Sequence, residues 1–535
     1  MIPGKRAQIH YWSRHTGFLK RLAFGIVAGS FVASLILIAV TPDKKSNFSM
    51  DPVVESLRQE WQELQGSQES QPHELARWLY TTTENIYSLC DALDIKTTTW
   101  ADYQIDGRLG DFDARTYLQK SSPDAATFEL WEIYIHASLS HDPKALQRIH
   151  DLAMQEQPPI TANLLLAYQS HETDPPAALR AMMREATLFP ETQFIREQAL
   201  GLAVQLKDQP VIRQILAQPE WWSAMPVMLR NSAAAELGDL WLQFTTILEF
   251  RSLLDAPPST LIVALVAAAI WYAIFVLHGV RGTARWLWPL LPLLAGIFSV
   301  WPVLVLGAWQ EVAMGMSENA PFPQNLWFWI GGVGMREEIC KLFFAALFMP
   351  WLLYKRPAGG ALLVGAFVGL GFALEENIGY YLRNSGGVAI SRLFTANFFH
   401  AALTGIATHS FYQLLRSRFG TAERFLITFV GVVLAHGLYD YLIDSKLVEG
   451  TGIFSLTILA LTAWQFLDLI EQECPPARQW ISPAAVFILG TAVLIAVVFI
   501  SVAILTPERQ ILASTAASCI SVLPIGFIYW RRLGG

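Results

Sequence analysis

Hydrophobic positions follow two regimes along this chain. Over residues 22–41, and again after Pro257-Pro258, apolar residues run on for about twenty positions at a time. Between the two, they recur instead at three- and four-residue steps. The long runs have the length of bilayer-spanning helices. Those after Pro258 divide into nine: 259–279, 287–306, 326–353, 360–382, 393–415, 425–443, 451–470, 484–505 and 511–529. The run at 22–41 follows Lys5, Arg6, Arg14, Lys20 and Arg21, as a secretory signal would. It is too long for a signal-peptide core and no small-residue cleavage pattern follows it. We read it as a retained anchor, which makes ten predicted spans in an all-α, polytopic membrane protein.

The stepped regime predicts amphipathic helices, clearest over 145–154, 160–168, 177–189 and 194–206. Asp142-Pro143, Asp174-Pro175, and Asp208 with Pro210 recur 32 and 34 residues apart, each ahead of such a helix. That period suits stacked helical hairpins of the tetratricopeptide kind. An irregular helical bundle with proline-marked helix starts satisfies the same pattern. Either reading makes this a recognition or sensing module, one that takes a protein or peptide ligand, and it holds no catalytic constellation.

Composition supports the division. The chain has 535 residues, 53% of them hydrophobic and 16% charged, too apolar for a soluble enzyme of this size. From Pro42 to Pro258 there are 17 Lys and Arg against 31 Asp and Glu, a net −14, which leaves +7 for the rest. Nucleic-acid binding is not expected, because no basic stripe interleaved with aromatics is present and the soluble part has the wrong sign for phosphates. Cys90, Cys340, Cys474 and Cys519 show no paired metal-ligand spacing, and no contribution from disulfides is expected. With the N-terminus inside, the cytoplasmic segments hold fifteen Lys and Arg and the short outer loops four. The predicted layout is then a cytoplasmic basic N-terminus (1–21), an anchor (22–41), an acidic extracytoplasmic helical domain (42–258), a nine-helix membrane domain (259–529) with its chemistry at 326–444, and a cytoplasmic C-terminus (530–535).

The run 326–353 carries Arg336, Glu337, Glu338 and Lys341 near its middle. Each charge there costs about 2.5–3.5 kcal/mol on insertion scales, so four together call for a function or a salt-bridge knot. On a helix Lys341 reaches Glu337 at i,i+4 and Glu338 at i,i+3, so the ammonium can neutralise one carboxylate and leave the other for acid–base work. Three more runs add ionisable groups: Glu375, Glu376 and Asn377; His400 with Thr404 and Thr408; and His436 with Asp440 one turn on. Counted from the outer end of each run, Glu337, Glu376, His400 and His436 lie about 17, 9, 10 and 10 Å deep. One polar, water-containing site open toward the outside follows. His409 falls about 24 Å deep on the opposite face and reads as packing or as an inner-interface polar group.

These residues resemble the PrsW-type intramembrane proteases, distant relatives of the CAAX prenyl proteases and their Abi-like cousins. The resemblance rests on Glu337-Glu338-x-x-Lys341, Gly371-Phe372-Ala373-x-x-Glu376-Asn377, His400, and His436-Gly437-Leu438-Tyr439-Asp440, in that order on four successive runs. It covers about 326–444 and none of the acidic region or the last three runs. Lys341 stands where the prenyl proteases carry a more distant Arg, which favours the PrsW branch. The resemblance implies hydrolysis of a peptide bond in a membrane-anchored protein of the bacterial cell membrane, an anti-sigma factor in the PrsW case. By position it makes Glu337 and Glu338 the acidic pair and Glu376, His400 and His436 the groups acting with them. Lys341, Asn377 and Asp440 take supporting places.

Two mechanisms fit. In one, Glu337 or Glu338 activates water while His400 or His436 stabilises the oxyanion, with no cofactor. In the other, His400, His436 and Glu338 hold a divalent metal, zinc for preference, with a position open for water. No His-Glu-x-x-His helix is present, which favours the first. A non-catalytic receptor and a secondary transporter are the rival classes; the latter is disfavoured because no second polar cluster follows Asp444.

Overall fold

The computed structural model describes residues 3–40, 72–92, 114–140, 142–250, 256–279, 286–357, 359–383, 388–444, 452–474, 481–505 and 509–534. Every regular element among them is helical. The protein is an all-α polytopic membrane protein. The chain separates into two compact units, one of residues 1–42 and 247–535, the other of residues 43–246.

In the second unit the three Asp–Pro steps are helix starts. Asp142 accepts the Lys144 N–H ahead of Pro143–Ala153, Asp174 accepts that of Ala177 ahead of Pro175–Leu188, and Asp208 accepts that of Val211 in Gln209–Leu216. In each case an aspartate caps the helix and a proline occupies its first turn, where the missing N–H removes no helix hydrogen bond. Successive helices pack around Trp131, Tyr134, Leu165, Met182 and Leu200. The start of Ala162–Ser170 is capped from a distance. Glu185, fully buried, accepts the Thr161 and Asn163 N–H groups at 2.7 and 3.1 Å and contacts His73 Nε2 at 3.0 Å.

In the membrane unit seven described helices are long and apolar enough to cross a bilayer, or eight if Ile511–Ser521 and Leu523–Arg532, bent by 43°, form one span. Ten were expected. The expected run 287–306 is found as Leu290–Phe298 and Val300–Met314, which pass the test together. Runs 326–353 and 393–415 do not pass it, and they are the two that carry Glu337, Glu338, Lys341 and His400. The first is broken into Gln324–Trp327, a π-helix Phe328–Gly334, Met335–Ala346 and Met349–Lys355. The second is a short helix Ala389–Phe394, a break at Thr395, and Ala396–Arg416 with Asn397, His400, Thr404, Thr408 and His409 all buried. Their polar groups are covered by protein, which is how a membrane tolerates them.

Gly360–Arg383 is the central helix: 94% of its most apolar window is buried, against 17% for Thr16–Val40. Two crossings bring the polar helices to backbone contact. A Cβ on Gly437 would lie 2.5 Å from Ile330 Cα, so Ala422–Asp444 can cross the π-helix closely only without a side chain there. A Cβ on Gly369 would likewise overlap the His400 carbonyl. On its outward side Met335–Ala346 shows Met335, Ile339 and Phe343, with Leu347 just beyond, as one exposed apolar stripe.

Candidate active site

Lys341 lies at the centre, with no exposed surface. Its Nζ donates to Glu337 Oε2 at 3.1 Å and to Glu338 Oε1 at 2.9 Å, and lies 2.9 Å from His400 Nδ1. An ammonium has donors only, so His400 Nδ1 is the acceptor and the ring proton of a neutral imidazole sits on Nε2. That nitrogen faces Glu376 Oε2 at 3.0 Å. The Phe372 ring lies beneath the ammonium, 4.0 Å from Nζ to its centroid.

The two adjacent carboxylates differ. Both oxygens of Glu338 are engaged: Oε1 by Lys341 and by His436 Nδ1 at 2.9 Å, Oε2 by the Thr404 hydroxyl at 3.3 Å. Glu338 is fully buried. Glu337 contacts Lys341 and, at 3.5 Å, His436 Nε2, both through Oε2, and among the described residues its Oε1 takes no hydrogen bond. His436 Nε2 also lies 3.3 Å from Asp440 Oδ2, and the His400 and His436 rings meet edge to face at 5.1 Å. Glu376 and Asp440 have side chains 27% and 24% exposed while Glu338 and Lys341 have none, so the network opens on the Glu376–Asp440 side.

All eight site residues read from the sequence fall in this network. Asn377 joins it through Asn397, Arg392 and Glu376. His409 stands apart, 2.7 Å from Gln413. Glu375 makes no ion pair with the cluster's cations among the described residues, and its Oε2 is buried without a hydrogen-bond partner. Arg392 was missed as a site residue because it counted as an outer-loop cation; its signal was a cation eight positions before His400, following a run that ends in two carboxylates. The group of donors that converges for a metal is Glu337, His400 and His436, all buried with ligand atoms within 4.8 Å of one another. Glu338, expected in that set, has its oxygens committed to Lys341, His436 and Thr404.

A buried carboxylate–lysine–histidine cluster thus lies inside a bundle of apolar helices, with the side-chain types that hydrolytic chemistry uses. Residues 284–465 match the family model described as PrsW family intramembrane metalloprotease, which bears out the resemblance and supports intramembrane protease activity. The match is wider than 326–444: it takes in Leu290–Phe298 and Val300–Met314 and runs into Gly452–Glu473, the first of the last three spans. No curated protein and no solved structure matches the chain.

Proposed function

We propose that this protein hydrolyses a peptide bond of a membrane-anchored protein in the outer half of the bilayer, with Glu337 as the base that activates water. The observation that carries it is the asymmetry of the carboxylate pair: Glu338 has both oxygens committed, whereas Glu337 keeps Oε1 for a water. Glu337 takes a proton from the water as its oxygen bonds to the substrate carbonyl carbon. Negative charge then develops on the former carbonyl oxygen; the Lys341 ammonium, its N–H groups already given to Glu337, Glu338 and His400, stabilises it by its charge, and the His436 Nε2 position offers it a donor. As the C–N bond breaks, Glu337 returns the proton to the departing nitrogen. Glu338 does not turn over; it fixes His436 and Lys341 against Glu337.

The donor set also fits a metal. Glu337, His400 and His436 would hold it, and a divalent ion such as zinc would polarise the carbonyl and lower the pKa of its own water. Lys341 already points its positive charge at two of those three groups, which is why we favour the glutamate-activated route. The two routes part on one measurement. Metal analysis of the purified wild-type protein gives less than one bound zinc per chain if Lys341 supplies the charge. A full equivalent, lost in His436→Ala, overturns the metal-free route.

The proteolytic reading is tested in cells. Membrane proteomes from strains carrying wild-type protein and Glu337→Gln are expected to differ by at least one uncut single-span protein. Identical cleavage patterns overturn it. The acidic unit outside the membrane is proposed to bind a protein or peptide and so select or signal the substrate.

A further inference from the structure

Arg392 lies in the short helix Ala389–Phe394, outside the four sequence motifs. Its side chain is only 16% exposed, and its guanidinium is fixed on three sides. Nη2 donates to Glu376 Oε2 at 3.0 Å, Nε donates to Asn377 Oδ1, and the group stacks on Tyr380 with its carbon 3.6 Å from the ring centroid. Asn377 in turn donates to Asn397, so the arginine ties Gly360–Arg383 to the first turn of Ala396–Arg416.

The oxygen that Arg392 holds, Glu376 Oε2, is the one that His400 Nε2 faces. Because Lys341 can only donate, it favours a His400 whose Nδ1 is unprotonated, and a held acceptor at Nε2 completes that preference. The other tautomer would set an N–H against an ammonium. We propose that Arg392 is a positioning residue of the hydrolytic site: through Glu376 it locks His400 in the Nε2–H tautomer, with the Nδ1 lone pair turned toward Lys341 and the carboxylates. The arrangement matches the carboxylate–histidine support found around reactive imidazoles, extended outward by one cation. It serves either route, since a lone pair aimed inward is what a metal or an ammonium requires. The proposal rests on the protease reading.

Two measurements on the full chain in lipid nanodiscs test it. In the first, protein labelled with ¹⁵N-histidine is compared with Arg392→Gln, the His400 resonances being assigned by His400→Gln. We expect the Nε2–H tautomer alone in the wild type and a mixture in the variant, returning to Nε2–H when millimolar guanidinium chloride is added. An unchanged tautomer overturns the proposal, and this arm needs no substrate. The second follows a fluorogenic single-span peptide that the wild type cleaves. Arg392→Gln should lower kcat about 10- to 100-fold with KM unchanged. Arg392→Lys should fall between the two at an unchanged Tm, which covers the case of a misfolded Gln variant. Wild-type kcat in Arg392→Lys and Arg392→Gln overturns the proposal while loss of activity in Glu337→Gln leaves the protease reading standing. Full activity in Glu337→Gln removes the protease reading itself.

Discussion

A lysine with no exposed surface must give its N–H groups to acceptors, and Lys341 gives them to Glu337, Glu338 and His400. Replacing it with methionine keeps most of the volume and strands two adjacent buried carboxylates without a countercharge. Breaking a buried ion pair from one side costs about 3–5 kcal/mol. Lys341→Met should therefore lower the thermal midpoint in detergent and abolish cleavage, and restoring the charge alone with Lys341→Arg should recover stability more than activity. Wild-type stability in Lys341→Met would mean that the carboxylates find other partners. Thr404→Val removes a single hydroxyl from Glu338 Oε2 and should cost only about 1–3 kcal/mol as a buried acceptor goes unpaired. The i,i+3 and i,i+4 reach of Lys341 was readable from residue spacing, because a helix fixes those neighbours. Its third acceptor was not, because His400 arrives from a helix 59 residues away.

At the scale of elements, glycine placement decides which helices touch. Gly334 and Gly437 face each other where the π-helix meets Ala422–Asp444: a Cβ on Gly334 would lie 2.9 Å from Gly437 N. Gly437→Ala forces that crossing apart, at a cost of about 1–3 kcal/mol for overpacking. The expected outcome is a lowered thermal midpoint together with a larger loss of cleavage rate, since His436 is the next residue and must hold 2.9 Å to Glu338. A Gly437→Ala protein with full cleavage would show that the crossing is not what sets the site. The second unit offers a parallel case in Glu185, which receives the first N–H groups of Ala162–Ser170. Glu185→Leu should unfold that unit at lower temperature, followed by far-UV circular dichroism. The breaks in the polar runs were not legible in the sequence: the π-helix and the turn at Thr395 come from packing that runs of apolar residues do not encode, so 326–353 and 393–415 looked like single spans.

For the whole molecule, the change from twenty-residue runs to three- and four-residue steps was enough to separate a membrane unit from a helical one, because each period answers to a different solvent. The count of spans was less legible, since two of the four runs that carry site residues, 326–353 and 393–415, are not found as helices long and apolar enough to cross a bilayer, the first because it is broken into short pieces. Sidedness is proposed from the distribution of Lys and Arg and is open to direct measurement. Protease added to intact spheroplasts should remove epitopes placed in 43–246 and spare one fused after Gly535. The opposite pattern would invert the topology and move the proposed cut to the inner leaflet.

The apolar stripe of Met335, Ile339, Phe343 and Leu347 lies on the back of the helix that carries Glu337 and Glu338. On the proposed reading, the wall between lipid and reaction chamber is a single helix thick, apolar on one side and ionic on the other. The height of that wall is set by the bilayer, because a stripe out of register with the hydrocarbon makes its helix tilt or sink. Such a shift acts directly on the 2.9 Å reach from Lys341 to His400. We therefore predict that acyl-chain length throttles the proposed cleavage, which nanodiscs of graded chain length would show as a change in rate at constant protein; equal rates across chain lengths would refute it.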